Sequence, residues 1–169
     1  MDYFIILEDI LLTKLPKEKF IKFDKFYKLF LENKLIFDHN YRALDLENPS
    51  YNDFLSIVKP TKLPPIKNFK PKEGKKYLIH TILHIEYSAV DLALDAALRY
   101  QNMPLEFYKD WLEVASDEIR HFLMLEKLLN ELNGFYGEFE VHKNLFEAMQ
   151  QTPDLLSRMA CIPRYLEAN

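Results

Sequence analysis

The chain has 169 residues, a formal net charge of −4 and a composition that is about half hydrophobic. That length suits one domain with one sizeable core, and the weak acidic balance gives no global pull toward nucleic acid or an anionic membrane. Only three glycines are present, which favours a helical protein over a turn-rich β fold.

The segment 3–12 is apolar, but Asp2 precedes it and Glu8 and Asp9 interrupt it, so it makes a poor signal peptide. Its length fits a short helix or a buried strand equally well. From Pro16 to Leu31, Phe20, Phe23, Tyr27, Phe30 and Leu31 recur at three- and four-residue steps behind a first-turn proline, which predicts an amphipathic helix. Residues 1–48 are thus an N-terminal helical segment. Residues 49–74 carry Pro49, Pro60, Pro64, Pro65 and Pro71, which forbid one continuous helix. Seven lysines stand against Glu73 between Lys59 and Lys76, and a solvated, extended connector is the simplest account.

Residues 75–169 have the character of a helical core. Lys75 to Tyr100 lacks glycine and proline, and Ile79, Ile82, Leu83, Val90, Ala93, Leu94 and Ala97 trace one face. A break at Gln101-Asn102-Met103 leads to Pro104, which opens a second helix on the stripe Trp111, Val114, Ala115, Phe122, Leu125, Leu128, Leu129 and Leu132. Asn133-Gly134 ends it. Each helix is roughly 40 Å long, and so short a loop makes them an antiparallel hairpin. A shorter helix is expected over 143–150, and Thr152-Pro153-Asp154 opens a last one. Every apolar run is broken by charge, so no segment reads as a membrane span. Cys161 is the only cysteine, which excludes an intrachain disulfide and suits a reducing cytoplasm; it is given no chemistry.

Three polar residues stand where the pattern asks for leucine. Glu86 is surrounded at helical spacing by Ile82, Leu83, Ala89 and Val90. Glu118 has Val114, Ala115 and Phe122, and His121 has Met124 and Leu125. A buried carboxylate without a partner is costly, and two facing each other repel. A divalent cation removes both penalties. Glu118-Ile119-Arg120-His121 sets a carboxylate and an imidazole one turn apart. Glu86 lies sixteen residues before Asn102 and Glu118 sixteen after it, so a hairpin sets them level, roughly 24 Å from the turn. The rival is an ion pair with Arg120 or Lys127, both of which point off the stripe. His80 and His84 share a face turned about 200° from Glu86, where hydrogen bonding between helices or to metal ligands is favoured over a separate zinc site. Asp91 and Asp95 read as solvated or capping residues, and His142 as structural.

These segments resemble a bacterial ferritin-like family of unknown function, domain of unknown function 455. The likeness runs through His80-Thr-Ile-Leu-His84-Ile-Glu86, Asp91-Leu-Ala-Leu-Asp95-Ala, Met103-Pro-Leu-Glu-Phe-Tyr108-Lys-Asp-Trp111 and Asp117-Glu118-Ile-Arg-His121-Phe. It continues in Tyr136-Gly137, Val141-His142 and Ala160-Cys-Ile-Pro-Arg164-Tyr-Leu-Glu167-Ala. The related tRNA-hydroxylating non-haem di-iron enzymes share the ligand pattern. The resemblance implies an all-α ferritin-like bundle on a long antiparallel hairpin, with a carboxylate-bridged di-iron or manganese site in an oxygen-activating oxidoreductase of unknown substrate. Glu86, Glu118, His121 and Glu167 are the implied metal ligands, with His84 and His80 behind them. The alternatives are a ferroxidase-type metal protein without organic substrate, or an inactive scaffold. The family's second Glu-x-x-His is absent, as would be its fourth core helix. A C-terminally truncated chain is expected, or else a homodimer that completes the bundle.

Overall fold

A computed structural model describes the backbone of residues 1–167 and the side chains of residues 1–161. The first helix, α1 (Tyr3–Leu12), starts where the Asp2 carboxylate accepts the Ile5 amide at 3.0 Å. This settles the ambiguous apolar start as helix. The helix is locked at its base by Tyr3 N–H to the Ile36 carbonyl (2.8 Å) and Ile36 N–H to the Met1 carbonyl (3.0 Å). Pro16 opens α2 (Pro16–Leu31), which buries Phe20, Phe23, Phe26 and Phe30.

The proline-rich stretch makes three short 3-10 turns, Ser50–Asp53, Pro60–Lys62 and Ile66–Asn68. It is not wholly solvated, because Tyr51 and Leu55 are buried in the core. Pro71 is the first residue of α3 (Pro71–Arg99), so this helix starts four positions before the expected Lys75. A proline at the first helical position loses no intrahelical hydrogen bond, so the last proline of the connector starts a helix that it could not continue. After the turn at Asn102 (φ 58°), α4 (Leu105–Glu131) returns antiparallel to α3. Asn133 adopts φ 58° and the Gly134 amide reaches back to the Leu129 carbonyl at 3.0 Å, closing the helix. A Cβ on Gly134 would lie 2.7 Å from Leu129 Cδ1, so glycine is needed for space.

Two short helices follow, α5 (Asn144–Gln151) and α6 (Leu155–Glu167). The α3–α4 hairpin is the spine, α1 packs on α3 and α2, and α5 joins α6 to α3. Among the described residues there is no β-strand, only two isolated bridges, and no helix is long and apolar enough to cross a membrane. The architecture is all-α and compatible with a ferritin-like bundle.

Two expectations about polar residues are overturned. Asp91 and Asp95 are buried and ion-paired, not solvated. Asp91 pairs with the fully buried Lys19 of α2, and Ser50 donates to its second oxygen at 2.6 Å. Asp95 accepts from Arg99 at 2.8 Å and from the buried Arg158 of α6 at 2.9 Å. Arg158 also donates to the Met149 carbonyl (2.9 Å) and Thr152 Oγ1 (2.9 Å), which fastens α5 and α6 to α3. A buried carboxylate keeps its charge only with such partners. Cys161 is exposed.

Candidate metal centre

Glu86 on α3 and Glu118 and His121 on α4 meet across the hairpin, each offering a ligand atom, all within 4.8 Å of one another. His121 Nδ1 lies 3.1 Å from Glu118 Oε2 and 3.7 Å from Glu86 Oε2. The level set by counting from Asn102 is the one observed. Glu118 and His121 come together because they are one helical turn apart, and Glu86 because the hairpin is antiparallel.

The site is only partly buried. The Glu86, Glu118 and His121 side chains are 22%, 20% and 37% exposed. Of the surrounding stripe, Ile82, Val114, Met124 and Leu128 are exposed rather than core. The periodicity that marks this face as apolar is present, but no described element covers it. One turn from Glu118 and next to Glu86 in sequence, Phe122 and Tyr87 are buried and pack together, with Tyr136 against Phe122.

Burial first, and then the hydrogen-bonded, negatively charged Glu118, push the Glu86 carboxyl up to about 8. Glu86 therefore holds a proton near neutrality, against the charge of its neighbour. Among the described residues, neither makes an ion pair with lysine or arginine. Arg120 is spent on Asp117 at 3.3 Å, and its other contact is His121 Nε2, also at 3.3 Å. Since a guanidinium only donates, Nε2 is the acceptor, and Nδ1–H faces Glu118. Two carboxylates without a lysine or arginine partner and one imidazole match the donor set of a divalent cation held by oxygen and nitrogen, and a cation between them relieves their repulsion.

His84 and His80 look the other way, into the loop after α4. His84 Nε2–H donates to the His142 carbonyl (2.8 Å), and its Nδ1 accepts from the Tyr136 hydroxyl (2.8 Å). His80 Nε2 accepts the Gly137 amide at 2.9 Å. Neither hydrogen-bonds to Glu86, Glu118 or His121. Burial lowers both imidazoles to about 4, so both are neutral at pH 7. Their role is to hold the 136–142 segment on α3. His142 takes part through its backbone and accepts the Asn144 amide at Nδ1 (3.4 Å). Tyr136, the partner of His84, was not singled out from residue pattern, though it stands in one of the segments of the family resemblance. The side chain of Glu167 lies outside the described residues.

Residues 12–169 match the family described as protein of unknown function (DUF455). An uncharacterized protein of Haemophilus influenzae is 41% identical over an aligned stretch of 120 residues, and the match covers 66% of this chain and 41% of that protein. The chain is therefore similar to less than half of that relative's length. No solved structure matches.

Proposed function

The chain belongs to the DUF455 family, and from that premise we propose that it is a metal-binding protein whose Glu86, Glu118 and His121 hold iron or manganese. The observation that carries this reading is the convergence of two carboxylates and an imidazole within 4.8 Å, with no lysine or arginine ion-paired to either carboxylate among the described residues. A structural ion pair would have supplied that cation from the chain itself, as Lys19 does for Asp91 and Arg158 for Asp95.

The finer reading is a ferritin-like, carboxylate-bridged dimetal centre in an oxygen-activating oxidoreductase, which the family resemblance suggests. Iron bound there would supply one-electron chemistry toward oxygen. Glu86 and Glu118 would neutralise the cation, and the proton that Glu86 holds near neutrality would leave to solvent as the cation binds. His121 would contribute Nδ1, with its proton moved to Nε2 and the contact from Arg120 given up.

Anaerobic titration of the apoprotein with Fe(II), followed by calorimetry, tests the binding. Stoichiometric uptake that Glu118→Gln abolishes is expected. Lack of uptake by well-folded wild-type protein overturns the reading. Oxygen consumption on admitting air to the iron-loaded protein, absent in Glu118→Gln, tests the redox step.

A further inference from the structure

Positive charge is gathered in one segment of a chain whose formal net charge is −4. Near the N-terminus exposed lysines find acids: Lys14 meets Asp53, Lys22 Asp9, Lys28 Asp24 and Lys34 Glu32. Between Lys59 and Lys76 there are seven lysines and one acid, Glu73, which pairs with none of them. Lys76 alone is paired, to Glu138. Lys59, Lys62, Lys67, Lys70, Lys72 and Lys75 are exposed and make no ion pair among the described residues. The backbone that carries them is held in place. Val58 N–H donates to the Val141 carbonyl at 2.8 Å, and Val141 N–H to that of Ser56 at 2.9 Å. Further along, Phe69 stacks on Tyr77 with ring centroids 4.6 Å apart, and both meet Phe139 edge-on. A segment already fixed in this way needs little ordering when it meets a partner.

We infer that the segment 59–76 rests on an anionic phospholipid surface, its lysines among the headgroups and Ile66 at the boundary with the acyl chains. Ile66 is 47% exposed and stands between Lys62 and Lys67, with Pro64 and Pro65 before it. An apolar side chain set among lysines has no partner on a phosphate backbone, but it gains area at a lipid boundary. Two further features turn the choice from nucleic acid to lipid. The segment has no arginine, so it lacks the planar fork that grips one phosphate or base edge with two hydrogen bonds. Its one aromatic ring, Phe69, is taken up by Tyr77 and Phe139 and offers no platform for a base.

Local charge decides this contact, not the total. Exposed charges more than about 8 Å apart are largely screened at physiological salt, so acids on the far side of the molecule weigh little at the surface. Each lysine held near an anionic leaflet strengthens binding roughly fivefold, and several acting together are enough for a reversible attachment. No span of the bilayer is involved, and the contact is independent of the metal reading.

The test is flotation of the whole chain, with chelator present, on vesicles of phosphatidylcholine alone or with about one third phosphatidylglycerol. At about 0.1 M salt, binding at least tenfold tighter to the anionic vesicles is expected. The difference should vanish at about 1 M, where the screening length falls from about 10 Å to about 3 Å. The triple variant Lys62→Glu, Lys67→Glu, Lys70→Glu should lose at least tenfold in binding and keep the wild-type melting temperature, since all three residues are exposed. The same change of charge on α2, Lys17→Glu, Lys25→Glu, Lys28→Glu, should lose less than about threefold. Ile66→Ser should bind severalfold more weakly and keep the salt dependence. Equal binding to both kinds of vesicle at low salt, or equal loss in the two triple variants, overturns the inference. An Ile66→Ser variant that floats as well as wild type overturns insertion of the apolar tip. Binding of poly(U) RNA by protein that does not float with anionic vesicles overturns the lipid assignment in favour of nucleic acid.

Discussion

At the residue scale, the most informative group is Glu86. Its carboxyl titrates at about 8 in the folded chain instead of near 4.5, because burial and the adjacent Glu118 disfavour its charge. Between those values the folded state holds a proton that the unfolded state has released, so this group makes stability fall as pH rises. His80 and His84 act in the other direction. Both are held near 4 by burial, so as pH falls below 6.5 the unfolded chain takes up two protons that the native state refuses. Together the three groups place the maximum apo stability near pH 6.5, with losses on either side. Melting of the metal-free protein between pH 5 and 9 should show this. Glu118→Gln should remove part of the alkaline decline, on the order of 1 kcal/mol after solvent screening at a partly exposed site, and leave the part due to burial. An alkaline limb unchanged in that variant would mean that the carboxylates are not coupled.

At the scale of elements, the buried ion pairs connect pieces distant in sequence. Lys19 and Asp91 tie α2 to α3 across 72 positions, and Arg158 and Asp95 tie α6 to α3 across 63. Lys19→Met strands a buried carboxylate and should cost about 3–5 kcal/mol in urea unfolding, whereas Lys19→Met with Asp91→Leu should recover most of the loss. Additive losses in that double mutant would show that the pair is not the source of the cost. The separations also explain why these partners were illegible in the sequence. Asp91 and Asp95 are i, i+4 neighbours with no basic residue at the spacing of a buried pair except Arg99, so local pattern leaves them solvated. The hairpin, by contrast, was legible almost throughout, since α3 and α4 are long, periodic and bounded by Asn102 and Asn133. The level of Glu86 and Glu118 followed from that geometry alone. Legibility stopped at cover. Periodicity at Ile82, Val114 and Leu128 shows that a face is apolar, but not whether anything in the chain lies on it. At the end of α4, Gly134→Ala drives a methyl into Leu129 and should cost about 1–3 kcal/mol as overpacking.

At the scale of the whole molecule, metal binding and stability are linked. A ligand that binds only the native state stabilises it by about 2.7 kcal/mol at a hundredfold excess over its dissociation constant. The melting temperature of the protein should therefore climb as free Mn(II) is raised, and in Glu118→Gln it should stay where it is. Differential scanning calorimetry of both proteins at three Mn(II) concentrations separates the two cases. A rise of equal size in Glu118→Gln assigns the stabilisation to cations bound elsewhere on the chain. Met124 gives an internal control at the same scale: it is 55% exposed, so Met124→Gln should leave the apo melt within about 0.5 kcal/mol of wild type. That variant should also show the full rise with Mn(II). The stabilisation then belongs to the ligand atoms themselves and not to the exposed side chains around them.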